Sequence, residues 1–153
     1  ASKPHTRLFV ALGDLALRAQ VIARLDAAWA NRMAAAIAHP ASDVSPTATI
    51  ASGVYVGPRA IVHTLARVET HAILNSGCIV EHECQIGVNT HIAPGAVLGG
   101  RVRIGAHTLV GLGSRILPNL RVGDRCVIGA GAVVTRDVPD GTTLVGVPAR
   151  SRG

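Results

Sequence analysis

From Val44 to Val134 an aliphatic residue occupies every sixth position without interruption. The series runs Val44, Ile50, Val56, Val62, Val68, Leu74, Val80, Ile86, Ile92, Leu98, Ile104, Val110, Ile116, Val122, Ile128, Val134. In a chain that is 48% hydrophobic, random placement does not yield such a run. A hexapeptide period predicts a parallel β-helix. Four residues after each member sits a second, small or apolar residue, among them Ala60, Ala66, Ala72, Cys78, Cys84, Thr90, Ala96, Thr108, Ser114, Cys126, Ala132 and Val138. One large and one small inward residue per hexad suits a narrow triangular prism of about 18 residues per coil. The repeats then fill about five coils, each rising about 4.8 Å.

The pattern divides the chain into three parts. Residues 1–43 escape the hexad rule and read as a partial α/β segment. Within it Leu8-Phe9-Val10-Ala11-Leu12 reads as a short strand broken at Gly13-Asp14. Leu17, Val21, Leu25 and Ala28 recur at helical spacing and predict a helix ending near Trp29 or Asn31. Met33 to Ala38 predicts a second strand. The prism fills 44–138, and 139–153 form a tail. Glycine, proline and asparagine cluster where the prism turns its corners, which need tight turns and sometimes positive φ.

Composition narrows the function. The formal net charge is +6, yet the arginines are scattered and the only aromatic residues are Phe9, Trp29 and Tyr55. Without stacking platforms a nucleic-acid partner is not expected; attraction for small phosphate-bearing ligands fits better. No stretch is apolar enough to span a bilayer and no signal segment opens the chain, so no membrane partner is expected and cytoplasmic residence is the default. Opening at Ala1, the sequence reads as processed or as part of something longer. All three cysteines, Cys78, Cys84 and Cys126, belong to the small inward class, and an odd count without Cys-x-x-Cys spacing fits buried thiols in a reducing compartment.

Stacking at 18 residues sorts the histidines. His71, Asn89 and His107 share one column and read as a solvated ladder, while His5 and His39 lie outside the repeat. His82 stands between Glu81 and Glu83, and its column reaches Gly100 one coil later. A glycine above a base leaves space and an open backbone N–H, as a carbonyl that becomes an oxyanion requires. A carboxylate beside the imidazole fixes its tautomer. By the residues alone, His82 as a base and His82 as a surface histidine both remain open. His91 lies half a coil away, which places the two histidines on neighbouring sides around one edge region.

The stretch Asn75-Ser76-Gly77-Cys78-Ile79-Val80-Glu81-His82-Glu83-Cys84-Gln85-Ile86-Gly87, followed by His91-Ile92-Ala93-Pro94-Gly95-Ala96 and Leu98-Gly99-Gly100, resembles one branch of the hexapeptide-repeat acyltransferases. That branch holds sialic acid O-acetyltransferases and nucleotide-aminosugar N-acetyltransferases of surface-glycan pathways. The resemblance runs from about Leu8 to Arg150. It implies a left-handed β-helix, a homotrimer with sites between neighbouring prisms, and acetyl-CoA as co-substrate with no metal. It also implies His82 as base, Glu83 as its orienting carboxylate, Gly100 as the oxyanion amide, and His91 and Asn75 as substrate-binding residues. The coenzyme A arm would run along Gly111, Leu112, Gly129 and Ala130 toward the tail Gly146-Val147-Pro148-Ala149-Arg150. There Pro148 would pack near adenine and Arg150 meet phosphate. Relatives begin with a βαβ unit carrying a glycine-rich turn for a nucleotide-sugar. The present chain resembles only its later segment, and Leu15 stands where relatives often carry Asn.

The expected activity is acetyl transfer from acetyl-CoA to a sugar, on the amino group of a nucleotide-linked aminosugar; O-acetylation is the alternative. A γ-carbonic-anhydrase-like reading needs a third imidazole beyond His71 and His107, and Leu112 stands at that place. A non-catalytic trimeric scaffold is the third class, and it predicts no thioester turnover.

Overall fold

The computed structural model describes residues 7–29 and 32–152. His5 and Asn31 lie outside the described residues. The hexads coil into a parallel β-solenoid of about six turns with three flat faces. Its first face begins at Ile37–Ala38 and continues through Tyr55–Val56, Ile73–Leu74, His91–Ile92, Leu109–Val110, Val127–Ile128 and Thr143–Val145. The second runs from Asp43–Val44 to Val133–Val134, and the third from Thr49–Ile50 to Arg121–Val122. Every strand named but Thr143–Val145 is two residues long; in the central coils its second residue is the buried member of the aliphatic series, while the first faces out. Strand partners stand 18 residues apart, as in Arg67↔Gln85 and His91↔Leu109.

Inside, the aliphatic column and the small column form one continuous core. Its few polar members are satisfied by corner carbonyls: Thr90 Oγ1 donates to Gly105 at 2.7 Å and Thr108 Oγ1 to Gly123 at 2.8 Å. That removes the penalty of an unpaired hydroxyl in an apolar interior. All three cysteine side chains are buried here.

The corners differ from the sequence expectation in an instructive way. Positive φ recurs at every sixth residue from Gly53 to Gly131, and nine of these residues are not glycine, including Glu83 and Arg101. The coil geometry imposes this conformation at each corner and the side chains tolerate it. Glycines such as Gly87, Gly105 and Gly111 serve another purpose: a Cβ at Gly87 would lie 2.6 Å from the Ala106 nitrogen of the next coil. Coil-on-coil contact, not φ, selects glycine there.

The solenoid has more turns than the periodicity counts, because it extends past both ends of the aliphatic series. Ile37–Ala38 pairs with Tyr55–Val56, so the predicted second strand splits into a Met33 bridge and the first rung of the solenoid. At the other end the last coil is shortened to 16 residues: Val122 bridges to Val138, and Ile128 stacks on Leu144. Carboxylates supply the acceptors for backbone amides here, with Asp137 Oδ1 taking the Arg121 N–H at 2.8 Å and Asp140 Oδ1 the Asp124 N–H at 2.9 Å.

The helix Leu15–Trp29 opens on Asp14, whose Oδ1 accepts the Leu17 N–H at 2.7 Å in an N-cap. Leu8 and Met33 form a parallel bridge beside it. The buried stripe is not the expected one. Leu17 is 48% exposed, while Arg18 and Ile22 are buried. Arg18 reaches down onto the solenoid, where Nε donates to Asn89 Oδ1 at 2.6 Å and the two terminal nitrogens to the carbonyls of Leu12 and Asn89. Burial lowers its pKa to about 10, against the opposing pull of Asp14. Asn89 also donates to the Leu15 carbonyl at 3.0 Å, so the expected solvated ladder of His71, Asn89 and His107 is buried in part beneath this segment. Truncating Arg18 to Ala strands these acceptors and is expected to cost about 3 kcal/mol of stability. Denaturant unfolding of the variant measures it, and a loss under 1 kcal/mol would show that the clamp is dispensable. Among the described residues no helix is long and apolar enough to cross a membrane.

Candidate active site

His82 and Glu83 sit at the corner between the second and third faces, just after the strand Ile79–Val80. Glu83 and Arg101 occupy positive-φ corner positions one coil apart, so their side chains leave the prism side by side. Glu83 Oε2 lies 3.0 Å from His82 Nδ1 and 3.1 Å from Arg101 Nε. The hydrogen bond from His82 above all, helped by the Arg101 guanidinium, holds the Glu83 carboxyl below the usual carboxylate range against the opposing desolvation. An ionised carboxylate only accepts, so Nδ1 carries the ring proton and the Nε2 lone pair is left free. That nitrogen lies over Gly100: a Cβ at residue 100 would collide with His82 Nε2 and Cε1. Among the described residues the Gly100 N–H meets no intramolecular acceptor. The corner therefore presents a proton acceptor and an amide donor to the same small space.

A second group gathers at the edge between the first and second faces. His91 Nε2 lies 3.2 Å from Asn75 Nδ2. Asn75 Oδ1 accepts from the Ser76 N–H at 2.8 Å, which orients the amide so that Nδ2 donates to His91. His91 is consequently a neutral acceptor at Nε2. Burial first, and the nearby Arg18 cation second, lower its pKa from 6.5, against a bond to the Gly13 carbonyl. The two residues line a cavity of about 380 Å³ with Phe9, Leu12, Gly13 and Tyr55. For a histidine with a lowered folded pKa, the stabilisation is complete above the ordinary value near 6.5 and drains away as pH falls through the lower one. The melting temperature of the wild type is thus expected to drop below pH 6.5 more steeply than that of His91→Gln. Parallel slopes in calorimetry would contradict this.

The cofactor candidates follow the same edge. Gly131 N–H bonds to the Leu112 carbonyl, stacking the Leu112 and Ala130 corners, and both side chains are exposed. Gly111 and Gly129 have a structural reason of their own, since a Cβ at either would strike the coil above. The tail closes over this end: Val133 N–H bonds to the Gly146 carbonyl, and Ala149 N–H to that of Val133. Pro148 and Arg150 are exposed beside it. Within one chain the sites thus form two groups on two edges, with His82, Glu83 and Gly100 on one and Asn75, His91, Leu112, Ala130, Pro148 and Arg150 on the other.

Two residues escaped the sequence reading. Arg101 was legible, because it stands one coil above Glu83 in the same column; Arg18 was not, because a buried cation leaves no pattern. Cys84 points inward, donates to the Gly99 carbonyl at 3.2 Å, and is pushed by burial up to about 11. It stays a thiol at neutral pH and is no nucleophile. Among the described residues no three His, Cys, Asp or Glu side chains gather as a metal site.

Comparison with known proteins gives first the class. Residues 101–136 match the model of the bacterial transferase hexapeptide (six repeats). The acetyltransferase domain of PglB from Neisseria gonorrhoeae is 34% identical, with a TM-score of 0.91 over 95% of this chain and 70% of that one. It has also been solved in complex with acetyl coenzyme A. A histidine-to-alanine variant of GDP-perosamine N-acetyltransferase from Caulobacter crescentus, in complex with CoA and GDP-perosamine, is 32% identical, with a TM-score of 0.91 over 97% and 70%. WeeI from Acinetobacter baumannii is 25% identical, with a TM-score of 0.84 over 99% and 73%. The chain belongs to the hexapeptide-repeat sugar acetyltransferases, enzymes of the left-handed β-helix class.

Proposed function

We propose that this protein transfers the acetyl group of acetyl-CoA to the amino group of a nucleotide-linked aminosugar. The observation that carries the reading is the Nδ1–H bond to Glu83, which leaves His82 Nε2 free above the Gly100 amide. In the step envisaged, the acceptor amine attacks the thioester carbonyl while Nε2 takes its proton. The Gly100 N–H receives the negative oxygen of the tetrahedral intermediate. The C–S bond then breaks and the coenzyme A thiolate leaves, neutralised by the proton that His82 holds. Glu83 keeps the ring in its tautomer and stabilises the imidazolium, with Arg101 fixing the carboxylate from the other side.

The two edges described above flank the second face, whose outward row includes the half-buried Ile61, Ile79, Val97 and Val133. Three copies packed through these faces would bring the His82 corner of one against the Leu112–Ala130 edge of the next, giving the site both halves. The slim column at Leu112 and Ala130 would take the pantetheine arm, with Pro148 and Arg150 toward its nucleotide end. Release of coenzyme A thiol from acetyl-CoA, measured against a panel of nucleotide-linked aminosugars and their N-acetylated forms, tests the reading. Release should require a free amine, and equal rates with blocked acceptors would refute it.

A further inference from the structure

The third face carries outward Thr49, Arg67, Gln85, Arg103 and Arg121, all exposed and stacked in register on successive rungs. Every one of their side chains carries hydrogen-bond donors and three are cationic. Arg103 and Arg121 are direct strand partners. Adjacent rungs lie about 4.8 Å apart, and like charges placed directly opposite destabilise a sheet. Among the described residues the ion pairs both belong to Glu83, with His82 and with Arg101; no carboxylate pairs with Arg67, Arg103 or Arg121. Of the acidic groups nearby, Asp124 accepts the Ala106 N–H through Oδ1 at 2.8 Å, Asp137 accepts the Arg121 backbone N–H through Oδ1 at 2.8 Å, and Glu69 lines the same cavity without pairing with any of the three arginines.

Two cavities of about 350 and 340 Å³ lie along this face and share Arg67, Gln85 and Arg103. One extends to Arg121, and the other reaches Glu83 and Arg101. The groove therefore runs from a row of unpaired guanidinium groups to the carboxylate that holds His82. Its lining contains no aromatic side chain, so it offers nothing for bases to stack on. Guanidinium forks match phosphate oxygens two at a time, and from Arg67 to Arg121 the row spans roughly 14 Å, about three rungs.

We infer that this groove binds the phosphates of a nucleotide-bearing co-substrate, with Arg103 and Arg121 closing on one phosphate and Arg67 and Gln85 on the next. The inference rests on the acetyl-transfer reading for its ligand class, because both co-substrates of that reaction, coenzyme A and a nucleotide-linked sugar, carry a diphosphate. An anion between Arg103 and Arg121 removes their repulsion, which explains why the pair stands unpartnered beside the catalytic corner.

Isothermal titration of the full chain and of the double variant Arg103→Gln/Arg121→Gln, with inorganic pyrophosphate, adenosine 3′,5′-bisphosphate and GDP as probes, tests it. Both arginines are exposed, so the variant should keep its fold, which a melting curve checks. Pyrophosphate affinity should fall at least ten-fold in the variant, the size of one lost charge-assisted contact. A matching loss for the adenosine bisphosphate assigns the groove to coenzyme A, and a matching loss for GDP assigns it to the acceptor. Wild-type affinity for all three probes in the folded variant, or no binding of any probe to the wild type, overturns the inference. If pyrophosphate binding falls as stated while the wild type transfers no acetyl group, the groove stands and the reaction assignment fails.

Discussion

Replacing His82 with Ala is expected to lower acetyl transfer by about 10²–10⁴-fold, the range for loss of a positioned general base. The side chain is 42% exposed and packs against a glycine rather than in the core, so the variant should melt near the wild-type temperature. Coenzyme A release under saturating acetyl-CoA reads the effect. Turnover within a few-fold of wild type would remove His82 from the chemistry. Glu83→Ala should cost less, because the imidazole keeps its free nitrogen and loses only its orientation and the stabilisation of its charged form.

The second large effect is expected at a residue with no side chain. A Cβ on Gly100 would occupy the place of the His82 ring. Gly100→Ala should therefore push the imidazole off the amide and depress turnover nearly as far as loss of the base itself, about 10²-fold or more. The double variant His82→Ala/Gly100→Ala separates this from a folding defect. With the ring gone the methyl group has room, so the double variant should be hardly slower than His82→Ala alone. Multiplicative losses would mean that residue 100 acts by some route other than displacing the ring.

The solenoid was legible because one physical requirement, a large and a small side chain filling each side of a prism, recurs at fixed spacing. Val80, Leu98 and Ile116 announce themselves, and the same arithmetic that stacks them places Gly100 over His82. It also places Arg101 over Glu83, a neighbour open to the same reading. What the period could not supply was its own exceptions. The last coil loses two residues, and Asp137 and Asp140 supply carboxylate acceptors for its backbone; no hydrophobic pattern encodes that exchange. The N-terminal helix was placed within its bounds, but apolar periodicity puts Leu17 on the buried stripe, whereas Leu17 is exposed and Arg18 and Ile22 are the buried residues. Asn89 and the carbonyl of Leu12 reverse that choice by offering a buried guanidinium an acceptor at Nε and at each terminal nitrogen. Polar burial of this kind depends on residues far apart in sequence and leaves no local signature.

Sites divided between two edges of one prism pose a related difficulty. Column arithmetic put His82 with Gly100 and Leu112 with Ala130, and the folded chain keeps each pair together. His82 and His91, nine residues apart, nevertheless face different edges, because half a coil turns the chain from one corner to another. The proposed assembly through the second face reconciles the two groups, with Ile61, Ile79, Val97 and Val133 as the contact.

Mass analysis of the acceptor after incubation with acetyl-CoA tests the central claim most directly. A nucleotide-linked aminosugar should gain one acetyl group on its nitrogen with wild-type protein and gain none at a comparable rate with His82→Ala. An acceptor left unmodified across the panel, or modified equally by both proteins, would contradict the account.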